Sequence, residues 1–493
     1  MRFVLGADIG TSSTKALLLS ERGRIHTESS VSHPLYSPKP GFNEQNPEDW
    51  WKSFVFATRK CIRTLKKKDE VVGVALSGQM HGSVFLDEHG KIIRRALLWN
   101  DQRTVNQCED IERAVGGRKK LIEWVSNIAL TGYTAPKILW LREHEPQNFE
   151  KLKTVLLPKD FINFKMTGEL STEVSDASGT LLLDVKKRVW SSKILESLKL
   201  DQDLLPRIFE SQEQMGTLSK SAAKELGLPA GIPVGAGAGD QAAGAIGMGV
   251  LQQGVASATI GTSGVVFAAV DSPFENAEGN LQSFCHAVPG KWCVFGCMLS
   301  AGASLTWFQS TFAKNSSISD LLKKMSPKPS SLLFLPYLEG ERCPHPDSNA
   351  KGTFFGITNQ SQMPDFTRAV LEGITFGMNE QIQILRRSGV SISEVSLGGG
   401  GAKSPIWQQL QADIYGISVK ILKTENTSAL GAALLAGVTS KVWRNLEEGT
   451  ELTIKIAQKR LPSAKLKNLY QSKFAKYQSL YPALKELWSS EGI

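Results

Sequence analysis

Two short segments of the 493-residue chain join a glycine to hydroxyl side chains: Gly10-Thr11-Ser12 and Gly261-Thr262-Ser263, preceded by Ile9 and Ile260. A backbone turning at glycine presents N–H groups, and adjacent hydroxyls add donors, a combination that cradles phosphate oxygens. One such loop alone reads as a hairpin turn. The two copies lie in matching strand–loop–strand contexts, VLGADIGTSSTKALLL and VASATIGTSGVVFAAV. This points to a duplicated lobe and to one nucleotide gripped from both sides. Neither copy fits G-x-x-x-x-G-K-[ST], which excludes a P-loop. The first leads into a strand and not a helix, which disfavours a dinucleotide fold.

Acid–base chemistry has two candidates. Asp8 ends the strand before the first loop, where a carboxylate can hold Mg²⁺ against phosphates or merely close a turn. The second copy has Thr259 there, so the lobes differ in chemistry. Asp240 follows Gly237-Ala238-Gly239, and suits a helix N-cap or a general base facing a glycine-lined cleft. Gln241 beside it can hydrogen-bond a polyol. Gln79-Met80-His81-Gly82 ends an apolar strand, where α/β proteins collect ligands. The run Gly398–Gly401 allows backbone to lie flat against a planar or phosphorylated ligand.

The surrounding pattern supplies elements to hold these groups. Strands are expected at 2–9, 14–20 and 71–76, and Asn46-Pro47 opens a helix to about residue 66. An amphipathic helix with Leu139, Trp140 and Leu141 follows Gly132–Lys137. A strand, a glycine turn and a small-residue helix from near Asp240 fill 231–250. Residues 296–308 run from strand to helix with a bend at Gly302. Residues 394–401 are a strand ending in glycines, and Ser404-Pro405 caps a helix to about Tyr415. The last 50 residues read as helical and basic. Alternating strands and helices define an α/β protein.

Length and composition narrow the class. The chain exceeds the size of one core, so at least two lobes with a cleft are expected. Net charge is +9, yet the basic residues are dispersed apart from Lys66–Lys68 and Lys455–Lys476, without interleaved aromatics. These read as solvated helix faces, and no nucleic acid partner is expected. Six scattered cysteines give neither a disulfide framework nor a zinc pattern. The N-terminus reads as a strand, not a signal peptide, and no stretch suits a membrane helix. A cytoplasmic chain without membrane contact is expected.

The chain resembles the FGGY carbohydrate kinases over essentially its whole length. The matching motifs are Asp8-Ile9-Gly10-Thr11-Ser12, Gln79-Met80-His81-Gly82, Trp99-Asn100-Asp101 and Tyr133–Trp140. Further matches are Leu157-Pro158-Lys159-Asp160, Gly239-Asp240, Gly261–Gly264, Gly340-Glu341-Arg342 and Gly399–Ala402. The resemblance implies two duplicated actin-like, ribonuclease H-like ATPase lobes, residues 1–245 and 246–493, with a catalytic cleft between them. It implies ATP and Mg²⁺ as cofactors, D-xylulose as the sugar phosphorylated at O5, and a homodimer. Asp240 would be the general base and Asp8 the Mg²⁺ ligand. Gln79, Met80, His81, Asp240 and Gln241 would meet the sugar. Thr11, Ser12, Gly261, Thr262, Gly302, Thr306, Gly400, Gly401 and Ser404 would meet the nucleotide. Two positions depart from the family pattern: Gln241 replaces the usual Asn, bearing on which sugar is taken, and Cys343 replaces a Thr, bearing on packing. Sister activities on ribulose, xylitol, gluconate or glycerol stay open, as does an actin-like ATPase without sugar chemistry.

Overall fold

The computed structural model describes residues 1–275 and 278–489 and is built on two mixed seven-stranded sheets. Arg2–Ile9 and Ser13–Ser20 form an antiparallel hairpin around the first Gly-Thr-Ser loop. Gly254–Ile260 and Gly264–Val270 repeat it around the second. A third antiparallel strand extends each hairpin, Ile25–Ser32 in one sheet and Trp292–Met298 in the other. On the opposite side each first strand pairs in parallel with a later one, Glu70–Gly78 or Ile392–Gly399. A further parallel strand follows, Pro233–Gly235 or Ser418–Leu422. The same five-strand order in both halves makes the repeated loops the visible part of a repeated topology, that of two actin-like α/β lobes.

Local chemistry accounts for the elements that flank the loops. Residues 3–9 are buried on both faces, which is why this central strand reads as an apolar run without alternation. Asn46 caps the helix Pro47–Ile62, accepting from the Glu48 N–H at 3.2 Å, and Trp50, Phe54, Ala57 and Cys61 bury one face. The helix stops four residues short of the expected end, before the lysine run. Ser404 likewise caps Pro405–Tyr415.

One helix of the second half crosses over. Thr427–Thr439 lies on the first sheet and against the helix Asp240–Gly247. A Cβ on Gly6 would stand 2.3 Å from the Ala433 nitrogen, and one on Gly431 would stand 1.9 Å from the Ala243 carbonyl oxygen. Small residues permit this approach, so the sheets follow the two halves of the sequence while the packing interlocks them.

The last 50 residues are not uniformly helical. Between the helices Leu446–Thr453 and Lys467–Ser489, Ile456–Arg460 forms an edge strand on Ser418–Leu422. Four of its five residues are exposed, so no buried face left an alternating signal. The basic face is also not wholly solvated: Lys473 is buried and its ammonium bonds the Glu372 carboxylate and the Ser330 carbonyl.

Candidate active site

The second loop is held by its own backbone and by the segment after the strand Trp292–Met298. The Gly261 N–H donates to the Ser263 carbonyl at 2.9 Å and the Gly302 N–H donates to the Gly261 carbonyl at 2.9 Å. The Ala301 and Ala303 N–H groups donate to the Thr262 carbonyl at 3.0 and 3.1 Å. A side chain at Gly302 would stand 2.3 Å from the Gly261 oxygen, so only glycine lets helix Gly302–Phe312 begin there. A cavity of about 890 Å³ opens beside this loop. Gly261, Thr262, Gly302, Thr306, Gly400, Gly401 and Ser404 line it, bringing together residues from three distant stretches of sequence. Leu305, Ile318, Leu322, Ile406 and Trp407 give it an apolar wall suited to a planar ring. The helices Gly302–Phe312 and Pro405–Tyr415 both begin at its edge, directing N–H groups and positive dipole ends toward an anion.

The first loop is held by side chains. Thr11 Oγ1 donates to Gln79 Oε1 at 3.1 Å and accepts from Trp99 Nε1 at 2.9 Å. Gln79 Nε2 donates to Gln45 Oε1 at 2.8 Å, and Gln45 Nε2 donates to the Thr11 carbonyl at 2.7 Å. Gln79 is only 1% exposed. Its amide is therefore committed to partners behind the phosphate loop. Ser12 is exposed at the loop tip.

Asp8 and Asp240 stand close enough for the Asp8 charge to act on Asp240. Ser77 Oγ donates to Asp8 Oδ1 at 3.0 Å, and Lys15 is the nearest opposing charge, yet burial dominates and raises the Asp8 carboxyl above its usual range. Asp240 is the first helical residue of Asp240–Gly247, with Gly239 at the cap position and no capping bond from a side chain. The N-cap alternative is thereby set aside, and Asp240 is half-buried. Desolvation, then the Asp8 charge, pushes Asp240 up to about 7, with hydrogen bonds from Gln241 partly opposing.

Met80 packs against Gly239, directly before Asp240. His81 takes a left-handed backbone conformation, φ 69°, and its carbonyl accepts from Lys137 Nζ at 2.8 Å and Thr134 Oγ1 at 3.2 Å. Its Nδ1 lies 2.9 Å from the Gly179 carbonyl, so Nδ1 carries the proton and Nε2 is left as an acceptor. Burial, with Lys137 adding to it, pulls His81 down to about 3 and keeps the ring neutral.

Three features escaped the sequence. Lys137 is fully buried, bonded also to the Gly132 carbonyl, and desolvation brings it down to about 7. Gln45 ties the first loop together from a separate segment. Behind Asp240, Lys159 gathers Asp160, Glu173 and Asp176, all four side chains fully buried. The Gly239 N–H joins this group by donating to Ser175 Oγ at 3.1 Å. A lysine inside an apolar run was the available signal for both lysines, but it does not say what the ammonium meets.

A second cavity, about 840 Å³, lies between the lobes. Trp99, Asn100 and Tyr133 line one wall, and Thr262, Ser263 and Arg342 the other. It shares Thr262 with the first cavity, so a ligand in each would meet at the second loop.

Family models for the N- and C-terminal domains of the FGGY carbohydrate kinases match residues 3–247 and 256–440. The chain belongs to the FGGY family of carbohydrate kinases. Its ATP-dependent phosphotransferase chemistry follows from that membership. Among its FGGY relatives, a xylulose kinase of Bacillus subtilis (strain 168) is 39% identical over 99% of this chain and 98% of its own. A solved xyloylose kinase of Brucella ovis superposes with a TM-score of 0.92 at 32% identity, covering 98% of this chain and 100% of the other. A gluconate kinase of Lactobacillus acidophilus gives 0.93 at 25% identity, covering 100% and 99%. No helix among the described residues is long and apolar enough to cross a membrane.

Proposed function

We propose that this FGGY kinase transfers the γ-phosphoryl group of ATP to O5 of D-xylulose, releasing ADP. One arrangement carries the chemistry: Asp240, pushed up to about 7 by burial and by the Asp8 charge at the first loop, opens a helix in a protein whose second phosphate loop is shared by a nucleotide-sized cavity and the interlobe cavity. Relatives carrying the xylulose kinase name over their whole length favour this sugar over gluconate.

ATP lies with its ring against Trp407 and Ile406 and its phosphates on the loop at Gly261. Asp240 accepts the proton of the C5 hydroxyl as O5 bonds to the γ-phosphorus and the bond to the β-bridging oxygen breaks. His81 Nε2 accepts a hydrogen bond from a sugar hydroxyl, and Met80 packs on the carbon chain. Gln241 holds the Asp240 carboxylate in place. Closure of the lobes excludes water as a competing acceptor.

No group of three metal-ligating side chains is present among the described residues. A single desolvated carboxylate, Asp8, beside a phosphate loop suits Mg²⁺, which binds largely through phosphates and water. Asp8 would hold it, and the ion would neutralise phosphate charge. On the family resemblance we assign the enzyme to the cytoplasm and to a homodimer, which light scattering tests.

A coupled ADP-release assay across xylulose, ribulose, xylitol, gluconate and glycerol, with product identification, tests the sugar. Xylulose 5-phosphate as the main product is expected, and preference for another acceptor overturns it. Asp240→Ala lowers turnover by about 10²-fold or more while sugar binding persists. Sugar-independent ATP turnover without a sugar phosphate supports the actin-like alternative.

A further inference from the structure

Lys323 and Lys403 line the nucleotide cavity, Lys403 already paired with Glu425 at 2.7 Å, and Mg²⁺ held by Asp8 would offset phosphate charge. Asp8, Asp240 and the triphosphate converge, while the two loops contribute only N–H and hydroxyl donors. Lys15 faces Asp8. Arg103, near Trp99, is already neutralised by Asp101 and Glu44, each at 2.8 Å.

Arg342 differs. It is half-buried and lines the interlobe cavity together with Thr262, Ser263, Trp99 and Tyr133. Among the described residues no carboxylate oxygen lies within 4.0 Å of its guanidinium, and no acceptor hydrogen-bonds it. Glu339, Glu341 and Asp347 line the same cavity without an ion pair to it, although its charge acts on the Glu341 carboxyl. The Asp347 carboxylate accepts instead from Tyr481 at 2.9 Å. The Arg342 charge also reaches His81 and Tyr133 across the cleft.

The backbone of Arg342 is fixed relative to the phosphate loop. The buried Glu341 Oε1 accepts from the Arg342 N–H at 2.7 Å and from the Leu299 N–H at 3.0 Å. Two residues after Leu299, the Ala301 N–H bonds the Thr262 carbonyl at 3.0 Å. Guanidinium base and loop therefore form one unit. A half-desolvated, unpaired guanidinium is unfavourable unless an anion completes it.

We propose that Arg342 is a catalytic residue of the transfer step, gripping oxygens of the migrating phosphoryl group between Thr262–Ser263 and the sugar hydroxyl. This rests on the kinase reading above. The planar fork matches two phosphoryl oxygens, and its charge acts most strongly as negative charge spreads over them in the transition state. The acceptor sugar, bound on the opposite wall, comes within its reach as the lobes close.

The test compares wild type, Arg342→Lys and Arg342→Ala with saturating D-xylulose and MgATP. Both variants are expected to lose about 10²–10³-fold in kcat, with each KM changed only a few-fold. Free guanidinium at millimolar concentration should restore part of the Arg342→Ala rate and none of the Arg342→Lys rate, a response that a packing defect would not give. If Arg342→Ala does not fold, Arg342→Lys decides by itself, read by kcat and by trapping with MgADP, aluminium fluoride and sugar. Wild type forms the trapped complex and the variant is expected not to. A kcat within threefold of wild type, or normal trapping, overturns the role of Arg342. A wild type that makes no sugar phosphate overturns the kinase reading itself.

Discussion

Replacing Gly399 by alanine perturbs the nucleotide cavity through the backbone alone. Gly399 ends the strand Ile392–Gly399 at φ 69°, ψ −160°, a region populated almost only by glycine. Holding alanine there costs about 1–3 kcal/mol. The new Cβ would stand 2.4 Å from the Ile260 carbonyl oxygen, 2.8 Å from its carbon and 3.3 Å from the Gly261 nitrogen. All three atoms belong to the backbone of the phosphate loop, so no side chain can swing aside, and overpacking adds about 1–3 kcal/mol. The sum, about 2–6 kcal/mol, is a large part of the ~5–15 kcal/mol that holds a typical domain together. Relief requires the loop and Gly400–Gly401 to part, which moves phosphate donors off target. A misplacement of about 1 Å can cost about 10²-fold in rate. Calorimetry should show the C-terminal lobe unfolding earlier, and titration with ADP should show weakened binding. Gly400→Ala is the thermal control, because its Cβ has no neighbour closer than 3.6 Å and needs no positive φ. It should unfold at or slightly above the wild-type temperature. Wild-type unfolding and ADP affinity in Gly399→Ala would refute the steric reasoning.

Four further outcomes follow from the site. Asp240 must be ionised to act, so kcat/KM should fall tenfold per pH unit below about 7, and a profile flat to pH 5 would exclude it as the base. Its folded pKa lies above its unfolded value, so the native state binds the extra proton and stability falls as pH rises from about 4 to 7; Asp240→Asn should melt above wild type at pH 8 and together with it near pH 4. Lys137→Met removes one of two donors to the His81 carbonyl, which keeps Thr134 Oγ1, and orphans the buried Gly132 carbonyl at a cost of about 1–3 kcal/mol, and should lower both melting temperature and sugar affinity. Gly179→Ala places a methyl 2.2 Å from His81 Nδ1 and should raise KM for the sugar while leaving ADP binding unchanged in a titration.

Much of this protein was legible in short stretches. The two Ile-Gly-Thr-Ser loops, the caps at Asn46 and Ser404 and the glycines at 237–239 and 398–401 encode backbone geometry within a few residues of themselves, because turn and cap chemistry acts between near neighbours. Repetition of one such loop was enough to read out a duplicated lobe, and the ordered motifs identified the family. Tertiary structure decided the rest. Whether Gln79 faces a sugar or Thr11 depends on a partner 68 residues away, and Asp240 owes its proton affinity to burial and to Asp8 from another strand. The helix Thr427–Thr439 gave no sign that it belongs on the first sheet. Arg342 looked like part of a motif until the fold showed that, among the described residues, no carboxylate forms an ion pair with it. Burial and the pairing of charges are properties of the assembled cleft, set by segments that meet only when both lobes are in place, and no local pattern records them.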